Sequence, residues 1–217
     1  MERSGGRSNP ARSSSIIERI DQALAELVEI RSNTDLYWRR FRDAESEVGK
    51  ALLSEAVADM AAELYSHDIR AAVELVEFTD GAFDVLFDLV AGRTVLLHGL
   101  SRYTSPNSRD VSYHRGFPSV AGYDKGHAMS HAQGGLEGGP NYFAQVPWVN
   151  RRLSPVGKLW RDIEDYLARN AGVFSFVRLI YSPEDLSQTP VEAEYGLMAE
   201  GQLRVVVFPN RQKLEST

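Results

Sequence analysis

The side chains best suited to chemistry lie in Tyr123-Asp124-Lys125-Gly126-His127, followed by Asn141, Gln145, Asn150, Trp160 and Glu164. Cutting a phosphodiester takes an activated water, a cation beside the crowded phosphoryl oxygens, and stabilisation of the leaving group. A neutral histidine near its ordinary pKa can take water's proton at pH 7. A hard cation wants oxygen ligands, and Mg²⁺ keeps most of its own waters, so one or two side-chain oxygens suffice. Histidine, asparagine and glutamate are therefore a sufficient kit. No cluster of aspartates is needed.

Other chemistries fare worse. The chain has no cysteine, which removes disulfides, thiolate metal sites and a cysteine nucleophile together. No Gly-x-Ser-x-Gly elbow and no Gly-x-x-x-x-Gly-Lys-Ser/Thr phosphate loop occurs. His127-x-x-x-His131 has helical metal-ligand spacing, but the zinc-protease motif needs Glu where Ala128 stands, so His131 reads as incidental. Gly134-Gly135 and Gly138-Gly139 read as a flexible turn before Asn141 rather than a phosphate cradle.

The ordered set resembles the non-specific DNA/RNA endonucleases of the ββα-metal group, whose hallmark is Asp-Arg-Gly-His followed by spaced Asn, Gln, Asn and Glu. Asp124-Lys125-Gly126-His127 matches the tetrapeptide except for Lys125, and Asn141-x-x-x-Gln145-x-x-x-x-Asn150 keeps the spacing. Trp160-x-x-x-Glu164 matches the closing helix, although the gap from Asn150 to Trp160 is longer than in the best-known members. The likeness covers roughly the second half of the chain and ends near Phe208-Pro209-Asn210.

That resemblance implies His127 as general base, Asn150 as direct Mg²⁺ ligand, and Glu164 as holder of water on the metal. It implies that Asn141 orients the base or the phosphate, and that Gln145 supports the site's backbone. Lys125, Gln145 and Arg151 are the expected substrate-side residues; Lys125 keeps a positive charge but lacks the bidentate fork of Arg. The family also uses an arginine before the motif against transition-state charge. Arg102, Arg109 and Arg115 are all candidates, with Arg115 the working assignment. Asp124 fixes the loop. The implied reaction is hydrolysis of DNA and RNA, blind to sequence, leaving 5′-phosphate ends, with Mn²⁺ able to replace Mg²⁺. A water nucleophile needs no 2′-hydroxyl, and affinity comes from backbone phosphates.

The elements that must position these residues suggest an α+β fold: a helical region over residues 16–92, then a ββα-metal core with an antiparallel sheet over 93–217. Ile16, Ile17, Ile20, Leu24, Leu27 and Val28 form one helical stripe after a capping serine run. Val48, Leu52, Leu53, Val57, Met60 and Leu64 form a second. A third helix is expected after Asp68, with Ile69, Ala72, Val73 and Val76 inward, and a fourth with Phe83, Leu86, Phe87 and Val90, stopping at Gly92. Thr94 to Leu97 is β-type, then a long loop runs from Ser101 to Tyr123. Ser154-Pro155 starts the helix that bears Trp160, Ile163, Glu164 and Leu167. Val173–Tyr181, Val191–Met198 and Gln202–Phe208 read as strands, the last two around a hairpin at Ala199-Glu200-Gly201.

Of the 217 residues, the first 100 carry 11 Lys+Arg against 18 Asp+Glu, a balance of −7; the rest carry 13 against 12, a balance of +1. The second half is thus free to offer a basic surface to a polyanion, and the acidic helices of 16–92 are expected to face an inhibitor protein or a second copy. Met1–Ser15 reads as a disordered tail without the apolar core of a secretory signal, and no stretch suits a membrane span. The expected location is the cytoplasm, or the cytoplasm of a target cell for a toxin effector or defence nuclease. The alternative is a catalytically inactive interaction protein on a nuclease scaffold.

Overall fold

A computed structural model describes residues 14–38, 47–105, 119–184 and 186–212, apart from the side chains of Glu47, Val48 and Lys50. Strands from both halves of the chain build one seven-stranded antiparallel sheet. Its members, in spatial order, are β1 (Arg31–Ser32), β9 (Gln202–Pro209), β8 (Glu192–Ala199), β7 (Phe174–Ile180), β4 (Arg93–Leu100), β3 (Phe83–Asp88) and β2 (Leu75–Asp80). The β8–β9 turn expected from the sequence is present. Glu200 and Gly201 have φ of 52° and 70°, the pair of positive values that matches a two-residue hairpin to the strand twist.

Helices cover both faces, which is why β7 and β8 are buried almost throughout instead of on alternate residues. On one face α5 (Pro155–Arg169) sets Trp160 edge-on against Tyr195 and Phe208, with ring centroids 4.9 and 5.0 Å away. On the other, α2 (Thr34–Trp38) and α3 (Glu47–Asp68) cover β4, β7 and β9, with Tyr37 against Phe176. That second face contains a buried charge network. Glu194 accepts hydrogen bonds from Arg178 Nε at 2.6 Å, from Asn33 Nδ2 at 2.7 Å and from the Tyr37 hydroxyl. Burial and the Glu194 charge raise the Tyr37 pKa well above its usual value.

The mixed α+β architecture with an antiparallel sheet is as expected, but the helical region ends earlier. Helix α1 (Ile16–Glu26) starts at Ser15, which forms a capping box with Glu18, and buries Ile16, Ile17 and Ile20. The stripe stops at Leu27, the C-cap, and Val28 is fully exposed. In α3, Leu53, Val57 and Met60 are buried as expected, whereas Leu52 is half-exposed; the Val48 side chain lies outside the described set.

The helices expected from Ile69 to Val76 and from Phe83 to Val90 are not formed; β2 and β3 take that segment. Two signals misled. Gly81-Ala82, with Gly81 at φ 69°, is a two-residue hairpin turn between aromatic and β-branched runs, and that turn chemistry outranks apolar spacing. β3 also carries apolar residues on both faces, with Phe83, Val85 and Leu86 all buried, so its apolar residues fall three and four apart as in a helix.

The boundary expected at residue 92 consequently falls in the turn between β3 and β4 of a single sheet. β3 pairs with β4, β1 with β9, and α1 packs on α5, so residues 16–92 are part of the same structure as the site. Among the described residues no helix is long and apolar enough to cross a membrane.

Candidate active site

The site is built on a two-stranded antiparallel ribbon, β5 (Asp124–His127) and β6 (Tyr142–Gln145), with two helices after it, α4 (Pro147–Asn150) and α5. Strand pleating sends Lys125 and His127 to one side of the ribbon and Asp124 and Gly126 to the other. Gly126 is required there. A Cβ would lie 2.3 Å from Oε1 and 2.5 Å from Cβ of Gln145. We expect Gly126→Ala to cost about 1–3 kcal/mol in urea denaturation, because both the end and the root of Gln145 would have to move. A loss within error would show that the ribbon is looser than described.

Helix α5 begins where Ser154 Oγ accepts from Gly157 N at 3.0 Å, with Pro155 at the first position. Gly157 lets this first turn press onto α4, since a Cβ would sit 2.6 Å from the Val149 carbonyl oxygen. Leu159, Trp160, Ile163 and Leu167 face the core. Glu164, four residues after Trp160, accepts from its Nε1 at 3.2 Å and from Arg161 NH1 at 2.9 Å. The other two carboxylates of α5 point to surface partners: Asp162 faces Arg19 at 3.6 Å, and Asp165 pairs with Arg161 and Arg169.

One cavity of about 470 Å³ brings His127, Asn150 and Glu164 together, with Lys125, Arg152 and Arg161 around them. Three cations beside one carboxylate make it suited to a phosphodiester anion. Asp124 prepares Asn150 from below. Its carboxylate forms a two-pronged ion pair with Arg151, which holds its pKa below the usual carboxylate range, and accepts Asn150 Nδ2 at 3.1 Å. With the amide nitrogen so engaged, Oδ1 is the atom Asn150 can offer a cation. Glu164 is 8% exposed, and burial raises its pKa while Arg161 and Trp160 oppose the rise. A cation in the cavity would favour its charged form.

These donors suit a hard ion that keeps its waters: one amide oxygen and one carboxylate, with no soft ligand. No group of three or more His, Asp or Glu among the described residues is arranged to hold a metal, so a site demanding a full protein cage is not offered there.

His127, Asn150, Glu164 and Lys125 are thus gathered as expected, and three assignments change. Asn141, expected as catalytic, is buried and does not line the cavity. Its Oδ1 accepts from Met129 N at 2.8 Å, and its Nδ2 donates to the Met129 and Leu136 carbonyls at 2.8 Å each. It pins the loop after His127. Gln145 is buried against Gly126 on the core side of the ribbon, so it meets no substrate. Arg151 is committed to Asp124, while its neighbour Arg152, with φ at 59°, lines the cavity instead. Of the candidate arginines, Arg102 lines a different cavity beside Ser54 and Asp84, and Arg109 and Arg115 lie outside the described residues.

Besides Arg152, sequence reasoning missed three residues. Arg161 was passed over because a helical arginine usually reads as a solvated face. Ser130 lines the cavity with a buried hydroxyl that has no hydrogen-bond partner among the described residues. Glu137, in the glycine-rich turn, reaches His127 Nε2 at 3.1 Å and also accepts the Tyr142 hydroxyl. Only its carboxylate type, among glycines and ten residues from His127, could have flagged it.

No family model matches the chain, and no curated protein matches it. Solved structures do resemble it, two nucleases among them. One is an extracellular endonuclease, 17% identical over 66% of this chain and 81% of its own length, with a TM-score of 0.40. The other is an extracellular nuclease, 16% identical over 66% and 92%, with a TM-score of 0.42. Similarity of this degree carries no weight for activity, which has to be read from the side chains.

Proposed function

We propose that the chain is a metal-dependent endonuclease that hydrolyses DNA and RNA without regard to sequence. The observation that carries this reading is the convergence of a histidine, an amide oxygen and a buried carboxylate on one cavity rimmed by Lys125, Arg152 and Arg161. His127 takes a proton from water, and the water oxygen attacks phosphorus. The phosphorus–oxygen bond opposite breaks with its electron pair on the leaving oxygen, which takes a proton from solvent. Asn150 Oδ1 and Glu164 would hold Mg²⁺, which supplies charge neutralisation at the phosphoryl and leaving oxygens. Lys125 and Arg152 bind backbone phosphates, and the Ser130 hydroxyl donates to a phosphate oxygen. Arg161 holds Glu164 at the cavity wall. Contacts of this kind recognise the backbone, so binding weakens with salt.

Asn150→Ala removes the only neutral oxygen donor assigned to the ion. Activity of the variant should need at least about tenfold more Mg²⁺, or be lost, while thermal unfolding changes little because Asn150 is exposed. Mn²⁺ should replace Mg²⁺ in the native protein and Zn²⁺ should not be needed. A Mg²⁺ titration of plasmid nicking decides it; an unchanged midpoint would remove Asn150 from the metal site.

A further inference from the structure

We propose that Glu137 is a positioning residue that fixes the tautomer of His127, making Nδ1 its basic nitrogen. The inference rests on the reading of His127 as general base. Glu137 is 8% exposed, and its Oε2 lies 3.1 Å from His127 Nε2. The same oxygen accepts the Tyr142 hydroxyl. An oxygen that accepts from a phenol and faces a ring nitrogen is acting as an acceptor, and its natural partner on that nitrogen is a proton. A neutral imidazole with hydrogen on Nε2 has its lone pair on Nδ1.

The surroundings hold this arrangement rigidly. His127 and Tyr142 are cross-strand partners on β5 and β6, with ring centroids 4.7 Å apart, so the ribbon register sets the distance between the two groups sharing Oε2. Glu137 enters from the turn that Asn141 ties to Met129 and Leu136. Its second oxygen faces His131 Nδ1 at 3.9 Å. Three side chains therefore converge on one buried carboxylate. When Nδ1 accepts a proton from water, the Nε2 hydrogen stays on nitrogen, and the charge that develops on the ring faces Glu137 at hydrogen-bond distance. The carboxylate thus stabilises the protonated base as well as orienting the neutral one.

The test uses the full chain with ¹⁵N-labelled histidine. The His127 signals are assigned by their absence from His127→Gln, and the native protein is compared with Glu137→Gln and Glu137→Asp. The native protein should show His127 neutral with hydrogen on Nε2. In Glu137→Gln that preference should weaken, kcat should fall about 10²-fold with KM changed little, and the acid limb of kcat/KM should move to lower pH, because a charge that favours the imidazolium is gone. Glu137→Asp keeps the charge and should recover part of the kcat and the original pH limb. A native His127 with hydrogen on Nδ1 overturns the proposal whether or not the protein cuts nucleic acid. An unshifted pH limb in a folded, active Glu137→Gln also overturns it. If the native protein cuts nothing, the reading as a nuclease fails, while the tautomer still decides the role of Glu137.

Discussion

Replacing His127 with alanine is expected to lower nicking of supercoiled DNA by about 10²–10⁴-fold, the usual cost of removing a general base. Folding should survive. His127 lies at the cavity wall with its ring on Tyr142, and Tyr142 remains to satisfy Glu137 when the imidazole is gone. The stability change should therefore stay near ~1 kcal/mol, the scale of one lost hydrogen bond. Purified variant and native protein are compared on plasmid, with circular dichroism and a thermal melt as controls. A folded variant with full activity would exclude His127 as the base.

The largest effect on stability is expected far from the site, at Glu194. Its carboxylate is fully buried and answers Arg178, which is itself 7% exposed. Glu194→Ala would leave the Arg178 charge buried without its partner, which should cost about 3–5 kcal/mol. Arg178 cannot escape by deprotonating: burial pulls its pKa down and attraction from Glu194 and Tyr37 raises it, but the guanidinium is so basic that it stays charged even without them. Tyr37 and Asn33 also lose their acceptor. The replacement Glu194→Gln, which keeps hydrogen-bonding atoms but not the charge, should cost less. Urea denaturation of the three proteins measures this, and a loss below about 1 kcal/mol for Glu194→Ala would show that water reaches Arg178.

How far the sequence could be read depended on how local each signal was. Ser15 with Glu18, Ser154 with Pro155, and Glu200-Gly201 act within a few residues, and each marks the element it belongs to. The spacing of His127, Asn150 and Glu164 was legible because ribbon and helices follow one another along the chain. The β2–β3 hairpin was misread because β3 is apolar on both faces, which mimics helical spacing, and only its pairing with β2 and β4 shows the difference. The site residues that changed role did so for reasons of facing. Gln145 and Asn141 have the right type at the right spacing, yet one packs beneath Gly126 and the other bonds loop backbone. Glu137 was invisible for the converse reason: its partner Tyr142 is a strand residue whose register with His127 exists only in the fold.

The acidic segment has a different meaning in the fold than its charge suggested. Nine Asp and Glu stand against two Lys and Arg between Ala51 and Leu100, which pointed to a separate partner-binding region. Part of that charge is internal. Asp88 accepts the Tyr65 hydroxyl at 2.6 Å and the backbone nitrogen of Val90 at 2.9 Å. β1 is hydrogen-bonded to β9 and β3 to β4, so removing residues 1–90 would strip strands from both ends of the sheet that α5 covers.

The most direct measurement follows conversion of supercoiled plasmid to nicked and linear forms, alongside cleavage of a single-stranded RNA, by the native protein with Mg²⁺ and with excess EDTA. Both substrates should be cut at many positions with Mg²⁺, leaving 5′-phosphate ends, and both should stay intact in EDTA. No cleavage with Mg²⁺ or Mn²⁺, or undiminished cleavage in EDTA, would contradict the account.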